Sequence, residues 1–142
     1  MPDDAVDAGS RQRVVAAVIT RGDRMLVSRR PAHKRHGGLW EFPGGKVGDG
    51  ESDRDAISRE LREELDVRVV HVGEPDIAIA DPGSPFVIVF VPVEIEGEPG
   101  CIEHTEHRWG TLEELLEMEL APSDRAFVVG RAGKVQAEGA SE

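Results

Sequence analysis

Apolar residues along this chain fall into two patterns: short β-branched runs bounded by turn residues, and stretches where they recur about every fourth position. Arg13 to Thr20 reads R-V-V-A-A-V-I-T and predicts a buried strand. Arg21-Gly22-Asp23-Arg24 predicts a hairpin turn, and Met25 to Ser28 the returning strand. Leu39 to Pro43 (L-W-E-F-P) forms a short apolar lead into a glycine-rich loop. Val67 to Val72 and Pro75 to Ala80 predict two more strands. Phe86 to Ile95 is the strongest strand in the chain, and its Pro92 is expected at an edge or a bulge, because proline donates no ladder hydrogen bond. Glu106 to Gly110 predicts a short strand.

The helical signals are fewer. Ser52 is a good N-cap, Asp55 three positions on completes a capping-box pattern, and Asp53 and Asp55 suit a positive helix N-terminus. Ile57, Leu61 and Leu65 recur every four residues and predict the buried stripe of that helix. Thr111 to Met118 predicts a second helix, with Thr111 as cap and Glu114 closing a box. Ser123 to Val129 starts a last one. Residues 1–10 read as a disordered tail, 11–130 as the folded domain, and 131–142 as a loose end. The irregular alternation of strands and helices predicts an α/β sandwich around a mixed sheet.

Composition narrows the function. At 142 residues with a formal charge of −11, the chain fits one domain and is a poor general binder of nucleic-acid polymers. No apolar run is long enough for a membrane span. Cys101 is the single cysteine, which excludes an internal disulfide and fits a reducing cytoplasm. Residues 1–46 carry nine Lys/Arg against five Asp/Glu, and the remainder eight against 23. A basic third and an acidic remainder could meet at a site for an anion and a metal, but the asymmetry alone favours plain solvated surface charge.

The candidate chemistry lies in Gly44 to Val67. Glu60, Glu63 and Glu64 share one helix face, next to Ala56. Like charges so spaced repel by roughly 0.2–0.5 kcal/mol per pair, which a divalent cation with oxygen ligands would offset. The glycines before the helix free the backbone for close approach to a ligand. They match neither a P-loop nor the dinucleotide fingerprint.

The full spacing is more specific. Gly45, Glu51 and then Arg59-Glu60-Leu61-Arg62-Glu63-Glu64-Leu65-Asp66-Val67 closely resemble the Nudix box. One fixed position departs: Asp66 stands where the family has a glycine. Asp tolerates left-handed backbone better than most residues, so the expected loss is a little stability. Further resemblance to the MutT-like branch lies in Ser28-Arg29-Arg30, Leu39 to Lys46, Glu103 to Trp109 and Leu120 to Asp124.

That resemblance implies a Nudix α/β/α sandwich and a nucleoside triphosphate pyrophosphohydrolase using magnesium or manganese, acting in nucleotide-pool sanitation. It implies Glu60, Glu63, Glu64, the Gly44 carbonyl and Glu103 as metal positions, with Glu106 as the fallback for Glu103. Glu60 matches the proposed general base, and Glu51 with Arg59 an orienting ion pair. Arg30, Phe42, Lys46 and Asp124 are the expected substrate-binding residues, with Trp40 assigned to the core. Asp124 falls where the branch places a base-reading residue. Ionised Asp only accepts hydrogen bonds, which favours a base edge presenting N–H groups. The implied substrate is 8-oxo-dGTP, or alternatively CTP or dCTP. Pro82 weakly signals ADP-ribose. A non-catalytic nucleotide-binding regulator is the reading from another class, but such proteins commonly lose the box carboxylates. His104 and His107 hint at zinc, without a convincing third or fourth ligand. The expected state is a cytoplasmic monomer or homodimer.

Overall fold

A computed structural model describes residues 11–34, 37–80, 83–100 and 106–140, with side chains described as far as Val135. The elements run β1 (Gln12–Arg21), β2 (Arg24–Arg29), β3 (Trp40–Glu41), β4 (Gly44–Lys46), α1 (Asp53–Leu65), β5 (Arg68–Val72), β6 (Ile77–Ile79), β7 (Phe86–Glu96), β8 (Glu106–Gly110), α2 (Leu112–Leu116) and α3 (Pro122–Ala140).

The mixed sheet is built on β1 and β7, which pair in parallel from Gln12↔Phe86 to Ile19↔Val93. β4 pairs antiparallel on the other side of β1, while β5 and β6 both pair antiparallel with β7. The β1–β2 hairpin leads to a second group of strands, with β3 and β8 paired to β2.

Strand alternation divides the core into two layers. Val15, Ala17, Ile19, Val89, Val91 and Val93 face α1 and meet Ala56, Ile57, Leu61 and Leu65. Ala16, Val18 and Phe90 face the opposite way, toward Leu115, Phe127 and Val128 of α2 and α3. Helix, sheet and helix are thereby stacked as the sequence predicts.

Three differences from the sequence expectation are set by strand pairing and by contacts distant in the chain. The glycines of Gly44–Lys46 read as loop but form strand β4, because β1 offers them a free edge. Pro92 is on neither an edge nor a bulge; it sits in a central strand where the partner changes. β6 ends its pairing at Phe90 and β5 begins at Val93, so the missing N–H falls in the gap, and the Pro92 carbonyl still accepts from Gly73 at 2.8 Å. The end expected to be loose from Gly130 instead continues α3 to Ala140. Arg131 anchors it through Asp76 at 2.7 Å, which helps offset the helix cost of Gly130 and Gly133.

Both predicted N-caps form. Ser52 accepts from the Asp55 N–H at 3.1 Å, and Thr111 and Glu114 make the reciprocal capping box. Asp66 ends α1 with φ 55° and ψ 42°, the left-handed cap, and its N–H donates to the Arg62 carbonyl. That backbone costs a non-glycine residue roughly 1 kcal/mol. Asp66→Gly should therefore raise the thermal midpoint by a few degrees, and Asp66→Val should lower it. Denaturation monitored by circular dichroism checks the order of the three proteins.

Candidate active site

Two glycines bring the β4 backbone against α1. A Cβ on Gly44 (φ 152°) would collide with the Val15 carbonyl, and one on Gly45 would overlap the Glu60 carboxylate. Only glycine at 44 lets the strand lie flush on β1, and Gly45 leaves the space that the Glu60 carboxylate fills on the other side. The Gly44 N–H points at Glu64 Oε1, 3.4 Å away.

Arg59 organises the acids around that contact. Its Nε and Nη2 bind the two Glu51 oxygens, each at 2.9 Å, in a bidentate pair. Nη2 also donates to the Lys46 carbonyl at 3.0 Å, and Nη1 reaches Glu60 at 3.0 Å and Glu63 at 3.4 Å. The Arg59 hydrogen bonds and the Gly48 N–H hold the Glu51 carboxyl down to about 2. Arg59 itself is raised, chiefly by Glu51 and then by Glu60.

Glu64 is different. It is only 4% exposed, although it is charged by type and lies one turn after Glu60. Burial first, then the hydrogen bond and charge of Glu60, and then the charge of Glu41 push its carboxyl up to about 10. Glu63 turns outward to Arg59 with its side chain half exposed. Among the described residues no three acidic or imidazole side chains converge as a finished cation cage. Glu103, His104 and Pro82 lie outside the described residues. Glu106, the fallback, is exposed and pairs with Arg29 at 3.2 Å.

A cavity of about 500 Å³ opens beside this cluster, at the α3 end of the sheet. Arg30, Glu41, Phe42, Lys46, Phe86 and Asp124 all line it, so all four predicted substrate residues lie around one space. Phe42 is both lining and core. Its ring packs edge-on against Phe90 and Phe127, with centroids 6.0 and 5.4 Å away, and is 3% exposed. Trp40 is buried in the same layer, as expected. The Lys46 ammonium lies over the Phe86 ring at 5.3 Å.

Asp124 reaches the cavity because two backbone bonds dock the start of α3 on β3. Trp40 donates to the Glu119 carbonyl, and Ala121 donates to Trp40, both at 2.8 Å. The Asp124 carboxylate then accepts from the Phe42 N–H at 3.0 Å. Burial outweighs that bond and pushes its carboxyl up to about 7.

Glu41 and Phe86 were missed from sequence. Glu41 carried a faint signal, since strand alternation around the core Trp40 turns its neighbour to the other face. Phe86 read as the first residue of an apolar strand, and nothing in that run separates lining from core.

Known proteins share the fold. The NUDIX domain family matches residues 10–129. The chain belongs to the Nudix family. It is 39% identical to the CTP pyrophosphohydrolase of Escherichia coli K12 over 128 residues, covering 85% of this chain and 94% of that protein. It is 36% identical to the putative 8-oxo-dGTP diphosphatase 2 of Mycobacterium tuberculosis, covering 85% and 88%. The solution structure of the E. coli ORF135 protein superposes with a TM-score of 0.74 at 36% identity, covering 91% of this chain and 95% of that one. The MutT crystal structure from Burkholderia pseudomallei gives 0.71 at 26% identity, covering 82% and 95%. Nudix hydrolases act on nucleotide substrates and generally use divalent metal ions. No helix among the described residues is long and apolar enough to cross a membrane.

Two outcomes follow from the geometry. Asp124 has a folded pKa raised above its unfolded value, so its stabilising contribution is complete below about 4 and is lost as pH rises through about 7. Asp124→Asn keeps an acceptor for Phe42 without the buried charge. It should stabilise the protein by about 1–3 kcal/mol at pH 8 and much less at pH 4, as read from urea denaturation at both values. Gly45→Ala displaces Glu60 without touching either core layer. Its thermal midpoint should stay within a few degrees while turnover falls by about tenfold or more; unchanged turnover would show that Glu60 need not lie against β4.

Proposed function

We propose that this protein hydrolyses nucleoside triphosphates to a nucleoside monophosphate and pyrophosphate, with magnesium or manganese, in sanitation of the nucleotide pool. The observation that carries the reading is the buried Glu64 next to the partly buried Glu60, which Arg59 holds, beside a cavity that contains both cationic and base-sized apolar lining. A buried carboxyl whose burial disfavours its ionised form, with a second carboxyl beside it, is a fitting donor set for a hard cation. Glu60, Glu63, Glu64 and the Gly44 carbonyl would hold it, with Glu103 completing the set. When bound, the cation supplies charge neutralisation at the phosphoryl oxygens and a more acidic water.

The chain's own groups do the rest. Glu60 takes the proton from the attacking water as oxygen bonds to phosphorus and the anhydride P–O bond breaks. The Glu51–Arg59 pair fixes the orientation of Glu60, because one guanidinium bridges helix, loop and base. Arg30 and Lys46 neutralise phosphate charge at the cavity rim, and Phe42 and Phe86 bound the base. Asp124, when ionised, accepts from a base N–H edge.

The N1–H and N2–H edge of 8-oxoguanine fits that requirement and is the first reading. The amino group of cytosine also fits. A cytidine substrate is favoured specifically by the 39% identity to a protein named CTP pyrophosphohydrolase.

The test is a hydrolysis panel of 8-oxo-dGTP, dGTP, CTP, dCTP, 5-methyl-dCTP and ADP-ribose with magnesium. Monophosphate and pyrophosphate are the expected products. Glu64→Gln should lower kcat by roughly 100-fold, equivalent to about 3 kcal/mol of transition-state stabilisation. Tight binding without turnover would make the protein a nucleotide-binding regulator. Equal activity in the variant would remove Glu64 from the metal site, and preferential cleavage of ADP-ribose would overturn the triphosphate reading.

A further inference from the structure

α3 is longer than the sheet it covers. Its core-facing stripe runs Asp124, Val128, Arg131, Val135, at spacings of four, three and four. Asp124 reaches the Phe42 N–H, Phe127 stacks on Phe90 of β7 at 4.5 Å, and Arg131 binds Asp76, just before β6, at 2.7 Å. β6 is the outermost strand there and pairs only with β7 among the described residues. The helix has therefore crossed the sheet by Arg131, and residues 132–140 rise about 13 Å further.

The end of the helix and the sheet beside it leave apolar side chains in water. Val135 is 51% exposed, and Ile77, on the same face as its partner Phe90, is 46% exposed. Past Phe90 that face is open: Pro92 and Glu94 alternate with the α1-facing Val91 and Val93, and both are exposed. Single exposed apolar residues are ordinary, but these surround one ion pair, Arg131–Asp76. Ile77 follows Asp76, and Val135 lies one turn past Arg131. Pro92 lies two residues past Phe90, whose carbonyl accepts from the Asp76 N–H at 2.8 Å.

The charges around that pair are divided. The helix side carries Arg131 and Lys134, and the sheet side Glu74, Asp76 and Glu94. Lys134 and Glu74 are exposed and have no ion-pair partner among the described residues. An acidic or a basic partner would match one side and be repelled by the other. A second copy matches both, because a two-fold axis lays the helix side of each copy on the sheet side of the other. In a chain of net charge −11, a face that carries both signs is also where two copies repel least.

We infer that the end of α3 and the open sheet beside β6 form an isologous interface with a second copy of this chain. Each Val135 covers the other copy's Ile77, and each Lys134 meets the other copy's Glu74. Gly130 and Gly133 weaken this part of the helix, and packing against the second copy supports it.

The experiment is sedimentation equilibrium of the full chain across about 1–200 μM, where a small interface should give a monomer–dimer equilibrium with a Kd of about 1–50 μM. Ile77→Asp and Val135→Asp should each weaken association by about tenfold or more. Lys134→Glu should weaken it too, and adding Glu74→Lys, which exchanges the two charges, should restore it to within about threefold of wild type. None of these residues lines the cavity, so turnover and the circular dichroism spectrum should stay as in the wild type. Lys134 and Glu74 are exposed, so the exchange tests the contact even where Ile77→Asp disturbs its strand. The mass of a single chain at every concentration would overturn the inference. So would a dimer that is indifferent to Lys134→Glu, or one that the charge exchange leaves dissociated, because the interface would then lie elsewhere.

Discussion

One guanidinium holds the site together. Arg59 contacts Glu51, Glu60, Glu63 and the Lys46 carbonyl, and so ties α1 to the loop and strand before it. Without it, three glutamates on one helix face would repel each other and the loop acid Glu51 would lose its bidentate cationic partner, keeping the Gly48 N–H. The planar fork of arginine suits this task, because it can bind one carboxylate bidentately and still offer donors in other directions. A lysine at this position would neutralise charge but could not fix three directions at once.

Glu64 lies buried beside the clamp while Glu63 faces out, and that asymmetry is chemically useful. Arg59 satisfies the outer acids, while Glu64 lies buried between Glu60 and the Gly44 N–H. The protein thus tolerates a buried acid that disfavours its own ionised form. A hard divalent cation would reverse that preference, releasing the proton as it binds.

The two faces of the sheet divide the labour. α1 and its acids cover one face, and α2 and α3 cover the other. The cavity lies at the sheet end where β3 and β4 pass between them, so Glu41, Gly44 and Lys46 border both regions. The two-residue strand β3 is central to this arrangement. It places Trp40 in the core, Glu41 against Arg30, and the Phe42 N–H against Asp124, thereby coupling the strand to the start of α3.

Much of this was legible beforehand for a physical reason. Hydrophobic alternation and four-residue repeats report local burial, so β1, β7 and the stripe of α1 were read close to their observed limits. Caps such as Ser52 and Thr111 are local hydrogen bonds, and Asp66 met a backbone demand that its own chemistry allows. The box spacing encoded which acids gather, because one helix and one loop carry them all. What lies further apart in sequence had to wait for the tertiary structure. Gly44–Lys46 became a strand only because β1 presented an edge, and Pro92 became tolerable only where two partner strands leave a gap. α3 kept its length through Arg131 and an aspartate 55 residues earlier. Glu41 joined the site through strand pairing and a bond to Arg30 that no local pattern announces. Near neighbours in the chain set β1, β7, the capped helix starts and the acids of α1. Only the tertiary structure decided which acid is buried, which is clamped and which faces the cavity, since burial and charge pairing are set by residues distant in the chain.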